Sequence, residues 1–205
     1  MSQRVLDVSA LPEGTADSRA LLWWGNIGMM TIEGTMFAML IATYLYLRTA
    51  NIDWPPGTVL NPALQMPTIN LLMLLLSIVP MILVDRAALR DDVLTVQICF
   101  AICVAAGIGF LAIQWHNLMA IGFKWSDHAY GSVIWTMFGM HSFHVIAATA
   151  ETALLLVYSL VRPITKKQLL DFRCMAIYWY FVALWWIPFY YMIYIVPWQT
   201  RKGLP

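Results

Sequence analysis

His141 and His144 stand one helical turn apart inside YGSVIWTMFGMHSFHVIAATAE, residues 130–151, a stretch otherwise apolar enough to cross a bilayer. Imidazoles can bind a metal, carry a proton or hydrogen-bond a neighbouring helix. In hydrocarbon each is costly unless it faces a bundle interior. Glu151 lies seven residues beyond His144, about 10.5 Å along the axis at 1.5 Å per residue. It is too far away to join both histidines at metal bonds of roughly 2 Å. A di-iron carboxylate bundle needs Glu-x-x-His on two helices, and neither Glu33 nor Glu151 has a histidine three residues later. His116 and His128 fall at a helix end and in a loop, so neither offers a mid-membrane haem ligand from a second helix. The pair therefore reads as an interior hydrogen-bonded pair. No catalytic residue and no metal site is predicted in this chain.

Glu33 sits near the middle of another apolar stretch, MMTIEGTMFAM. An ionised carboxylate there is costly unless a cation or several donors face it. Two readings stand: a proton-binding carboxyl, or a glutamate bonded to a backbone carbonyl or a neighbouring helix. Glu151 shares a helical stripe with His144 and Ala148, and bonding inside the bundle is enough to explain it.

These residues need membrane helices to position them, and the composition supplies them. Hydrophobic residues make up 61% of the 205-residue chain and charged residues 11%. Mean hydropathy is +0.70, whereas a soluble domain carries roughly 25% charged residues. A net charge of +1 leaves no clustered basic face for nucleic acid. Cys99 and Cys103 are four apart on one helix face and Cys174 opens another helix, so packing is expected of all three.

The expected fold is all-α: a polytopic membrane protein with five spans, 21–47, 68–84, 93–115, 130–160 and 174–196, measured against about 20 apolar residues per crossing. Pro80 falls within the second, where neighbouring helices can re-satisfy the freed backbone groups. The chain reads as one domain, residues 21–196, between a polar cytoplasmic tail, 1–20, and a short carboxyl-terminal tail, 197–205. Residues 1–20 contain no apolar run of signal-peptide length, so the mature amino terminus is expected to be this one. Lys and Arg near helix ends count eight on the amino-terminal side and four on the other, which predicts a cytoplasmic amino terminus and an outside carboxyl terminus. Tryptophans near span ends, Trp54 and Trp125 among them, read as interface anchors. Gly34, Ala38 and Ala42 recur every four residues on the first helix, and Ala101, Ala105 and Gly109 on the third. Both stripes suit close helix packing.

Tyr130-Gly131-Ser132, followed by Gly139-Met140-His141-Ser142-Phe143-His144-Val145-Ile146, resembles the Gly-x-His-x-x-His-Val helix of haem-copper oxidase subunit III. Glu33 with its run to Tyr44-Leu45-Tyr46-Leu47-Arg48 is similar to that family's buried-glutamate helix. Met66-Pro67-Thr68-Ile69-Asn70 resembles its proline-asparagine helix start, Gln114 its helix-closing glutamine, and Trp179-Tyr180-Phe181-Val182 with Trp186 its terminal motif. Tyr180 and Ala183 replace a histidine and an aspartate of that motif, Asn117 stands for a glutamate, and Ile32 for a serine. The chain is similar to the short, five-helix bacterial form.

The resemblance implies an accessory subunit that binds no redox metal, packs against catalytic oxidase subunit I and other subunits, holds phospholipid, and supports proton uptake. Haem and copper would belong to the partners, in a bacterial inner membrane. Two other classes remain open: a subunit-III-like protein of a nitric oxide reductase or another respiratory assembly, and a small proton-coupled transporter using Glu33, His141 and His144 as a relay. Against the transporter stand an odd helix count and no internal repeat.

Overall fold

The computed structural model describes residues 21–57, 63–88, 90, 92–162 and 166–201. The tail 1–20 lies outside the described residues, as do residues 202–205. The helices are α1 (Leu21–Ala50), α2 (Gln65–Leu76), α3 (Ile78–Ala88), α4 (Val93–Met119), α5 (Ala129–Val161), α6 (Lys166–Tyr190) and α7 (Val196–Arg201). Among the described residues, five stretches are long and apolar enough to cross a membrane: Leu21–Ala50, Gln65–Ala87, Val93–Met119, Ala129–Val161 and Gln168–Thr200. The spans are those expected, with longer ends. Residues 197–201, expected in the tail, are helical.

The second span is two helices, because Pro80 has no N–H for the carbonyl of Leu76 and its ring crowds that oxygen. The chain breaks at Ser77. There the hydroxyl donates to Leu74 O at 2.6 Å and accepts from the Trp179 indole at 2.9 Å, while the Cys103 thiol donates to Ser77 O at 3.6 Å. The last span is likewise not a plain α-helix. Pro188 removes a donor inside α6, and a wider turn, Tyr191–Ile195, follows before α7. Pro197 lacks the N–H that would close a five-residue turn on Met192 O. Tyr44 fills that place, its hydroxyl donating to Met192 O at 3.0 Å.

α6 is the most buried span and α1 the least. α6 packs on α1, α2, α3 and α5, and α4 packs on α2, α3 and α5, while the main helix contacts of α1 are with α5 and α6. The contact seams follow a seven-residue period. On α1 the inner residues are Met30, Glu33, Phe37, Leu40, Tyr44 and Leu47. On α4 they are Val96, Cys99, Phe100, Cys103, Gly107, Phe110, Gln114 and Asn117. Spacings of three and four in alternation hold a seam on one side of a helix that crosses its neighbour at a shallow angle.

Those seams displace the small-residue stripes. Gly34 touches α6, its absent Cβ facing Phe181 and Trp185 at 3.6 and 3.8 Å, and Gly109 meets Met73. Ala38, Ala42, Ala101 and Ala105 are exposed, so within this chain they are not contact positions. A four-residue repeat drifts off a seam that advances by three and a half. The close approach on α4 is instead at Gly107, where a Cβ would collide with the Thr149 hydroxyl of α5.

Candidate functional site

The start of α5 explains the Tyr-Gly-Ser sequence. Tyr130 is buried edge-on against Trp54, ring centroids 5.0 Å apart, and Trp54 lies 5.4 Å from Tyr44. Trp54 is therefore a packed residue joining α1 to α5 rather than an interface anchor, whereas Trp125 is exposed. A Cβ at Gly131 would lie 2.6 Å from Lys124 O. Only glycine lets the preceding loop fold this closely onto the helix. The Ser132 hydroxyl then donates to Trp125 O at 2.7 Å, and the Trp135 indole donates to Phe123 O at 3.0 Å.

Three turns further on, the two histidines part ways. His141 is fully buried and its Nε2 lies 3.0 Å from Val182 O of α6. That bond requires the proton on Nε2, and Nδ1 is left without a partner. The ring lies over Trp186, centroids 4.5 Å apart, and edge-on to Phe110 at 5.5 Å. His144 turns the other way. Its Nδ1 donates to Met140 O at 2.6 Å, which leaves Nε2 aimed at α1.

There it meets Glu33, with Nε2 and Oε2 3.7 Å apart. Phe37, one turn along α1, covers the His144 ring at 4.7 Å, and Tyr178 of α6 is a hydrogen-bonding neighbour of Glu33. The Glu33 side chain is 19% exposed and that of His144 8%. A carboxyl and an imidazole sharing one proton form a neutral unit, either as acid and base or as an ion pair, and neutrality removes most of the penalty for placing them in hydrocarbon. The contact clips α1 to α5.

Glu151 was expected to bond inside the bundle, but it lies on an exposed face of α5, with Asp171 as a charged neighbour. Near the start of α1, Asn26 donates to Cys174 O of α6 at 3.0 Å. Gln114 and Asn117 are buried on α4. Asn70 of α2 donates to Gln114 Oε1 at 3.0 Å, while the Asn117 amide nitrogen has no partner. Ala183 is fully buried. All three cysteines are buried and free. Among the described residues no group of three or more His, Cys, Asp or Glu is placed to hold a metal ion.

Sequence reasoning joined Glu33 and His144 only in the transporter alternative, as a relay with His141, and did not pair them as a contact between α1 and α5. The signal was the three-and-four spacing of residues 30, 33, 37, 40 and 44, which puts Glu33 on the same seam as Phe37. Phe37, Tyr178, Gly107, Thr149 and the Ser77–Trp179 bond were missed as well, since each takes its importance from a neighbour on another helix.

Comparison with known proteins returns one family. Residues 17–199 match the sequence profile described as cytochrome c oxidase subunit III. The chain is 30% identical over 179 residues to the cytochrome c oxidase subunit 3 of Thermostichus vulcanus, covering 84% of this chain and 86% of that one. It is 32% identical over 177 residues to a probable cytochrome c oxidase subunit 3 of Nocardia farcinica, with the same two coverages. To the subunit 3 of Sus scrofa it is 31% identical over 143 residues, 69% of this chain and 54% of the longer relative. Because the matched region runs through all five spans and includes Glu33, His141 and His144, the chain belongs to the cytochrome c oxidase subunit III family.

Proposed function

We propose that this chain is the accessory subunit III of a respiratory haem-copper oxidase, which reduces oxygen to water and assembles from several subunits. In this reading it binds no haem or copper, which belong to its partners. It stabilises catalytic subunit I, holds phospholipid, and supports proton uptake. It sits in a bacterial plasma membrane with its amino terminus on the cytoplasmic side.

The observation that carries the reading is the commitment of the motif side chains. His141 spends its proton on Val182 O, and His144 spends one nitrogen on Met140 O and turns the other to Glu33. Both rings serve contacts between helices, as suits a subunit that supports chemistry done elsewhere. Two open apolar grooves suit acyl chains. One of about 490 Å3 between α2, α3 and α4 is lined by Ile69, Leu72, Leu76, Pro80 and Ile102. One of about 320 Å3 between α1 and α5 is lined by Met36, Met39, Leu40 and Met140.

Affinity purification of the tagged chain in mild detergent, with metal and lipid analysis, tests this. The expected outcome is a large partner carrying haem and copper, with phospholipid retained. Haem with non-haem iron would assign the chain to a nitric oxide reductase assembly instead. A solitary chain would favour the transporter reading.

A further inference from the structure

The loop between α4 and α5 ends in a cap of unusual chemistry. His128 is the residue before α5, in extended backbone at φ −164° and ψ 164°, and its Nδ1 accepts from Gly131 N at 2.7 Å. Helix caps are ordinarily Ser, Thr, Asp or Asn, whose oxygens accept whatever the pH near neutrality. An imidazole accepts only through an unprotonated nitrogen. Once protonated it has donors at both positions and carries a positive charge beside the positive end of the helix dipole.

We propose that His128 is a pH-responsive cap: neutral, it closes the first turn of α5 and holds the α4–α5 loop against it; protonated, it releases both.

The surroundings allow the release. His128 is half-buried, against the rings of Phe123 at 5.2 Å and Tyr130 at 6.0 Å. The charged groups beside it are Lys124 and Asp127 of its own loop, both exposed. The Asp127 carboxylate accepts from Lys124 N at 2.8 Å. Tyr130 is the titratable group facing it from α5. The segment at stake also holds the Gly131, Ser132 and Trp135 contacts that seat the loop. Acidification on this side of the membrane therefore loosens the mouth of the helix that carries His141 and His144, while Ser132 N keeps its bond to His128 O at 3.1 Å.

Hydrogen–deuterium exchange of the full chain in lipid nanodiscs, corrected for intrinsic exchange rates, tests the cap. Protection of the Gly131 amide is expected to fall about fivefold or more between pH about 8 and pH about 5, the size expected for loss of a helix cap. His128→Asn supplies an acceptor that does not titrate, so its protection should stay level across that range. His128→Ala should be poorly protected at both ends. A wild-type profile flat with pH, an equal drop in His128→Asn, or full protection at pH about 8 in His128→Ala would each overturn the proposal.

Discussion

Glu33 Oε2 of α1 lies 3.7 Å from His144 Nε2 of α5, at the middle of the least buried span. The contact ties a peripheral helix to the bundle through a pair that is neutral when it shares one proton. Glu33→Ala leaves His144 Nε2 without its partner on α1 and should cost about 1 to 3 kcal/mol, read as a lower unfolding temperature in detergent or a shorter active lifetime of the complex. Glu33→Gln keeps shape and hydrogen bonding and should be nearly silent if the pair is structural. Oxygen consumption measured against pH decides. A Gln variant as slow as the Ala variant, with subunit content unchanged, would assign Glu33 to proton delivery instead.

Gly107 and Thr149 mark a close approach of α4 and α5. Gly107→Ala forces these helices apart and should destabilise the chain by about 1 to 3 kcal/mol. Thr149→Ala removes the obstructing atoms, so Gly107→Ala added to Thr149→Ala should cost much less than Gly107→Ala alone. Equal costs in both backgrounds, measured by thermal unfolding, would show that the crossing relaxes elsewhere.

The break at Ser77 is held by Trp179. Ser77→Ala leaves a buried indole N–H without a partner, at about 1 to 3 kcal/mol. Trp179→Phe should cost less in the Ser77→Ala background than in the wild type, because the shared bond is already gone. Additive losses would place the contribution of Trp179 in packing alone.

On the side of α1 away from the bundle, Gly28, Thr31, Thr35, Ala38 and Ala42 are all exposed. The Thr31 and Thr35 hydroxyls donate to Ile27 O and Ile32 O of their own helix, so the face is smooth and its polar atoms are satisfied. Small residues at three-and-four spacing permit close approach of another membrane helix. Ala38→Leu and Ala42→Leu should leave the unfolding temperature of the isolated chain unchanged and reduce recovery of partner subunits in detergent. Recovery equal to wild type for both variants would mean that this face meets lipid.

Asp92 caps α4. The Thr95 hydroxyl, and then the Thr95 amide, hold its carboxyl below the usual carboxylate range. A carboxyl lowered in the folded state contributes stability that is present above its unfolded-state value and is lost as pH falls through the folded one. Protection of the Thr95 amide, corrected for intrinsic exchange rates, should therefore hold at neutral pH and fall on acidification below the usual carboxylate range. Asp92→Ala should show the reduced protection at every pH.

How far the sequence reaches is clearest from three kinds of residue. The five spans were legible because a membrane demands a long apolar run for every crossing, a requirement met segment by segment without regard to the rest of the chain. Glu33, His141 and His144 were legible as special because polar groups are rare in such runs. Their partners were not, since a partner on another helix depends on which way each helix is rotated and where it crosses. Rotation alone turned His141 to Val182 and His144 to Glu33, though both lie on one turn of α5. Crossing alone left Glu151 uncovered and chose Gly107 over Ala101 and Ala105 as the contact on α4. Composition and motif thus determined that the chain is a five-span membrane protein with a polar interior. Only the tertiary structure decided which side chains meet across helices, because helix packing adds the distances that order along a chain does not contain.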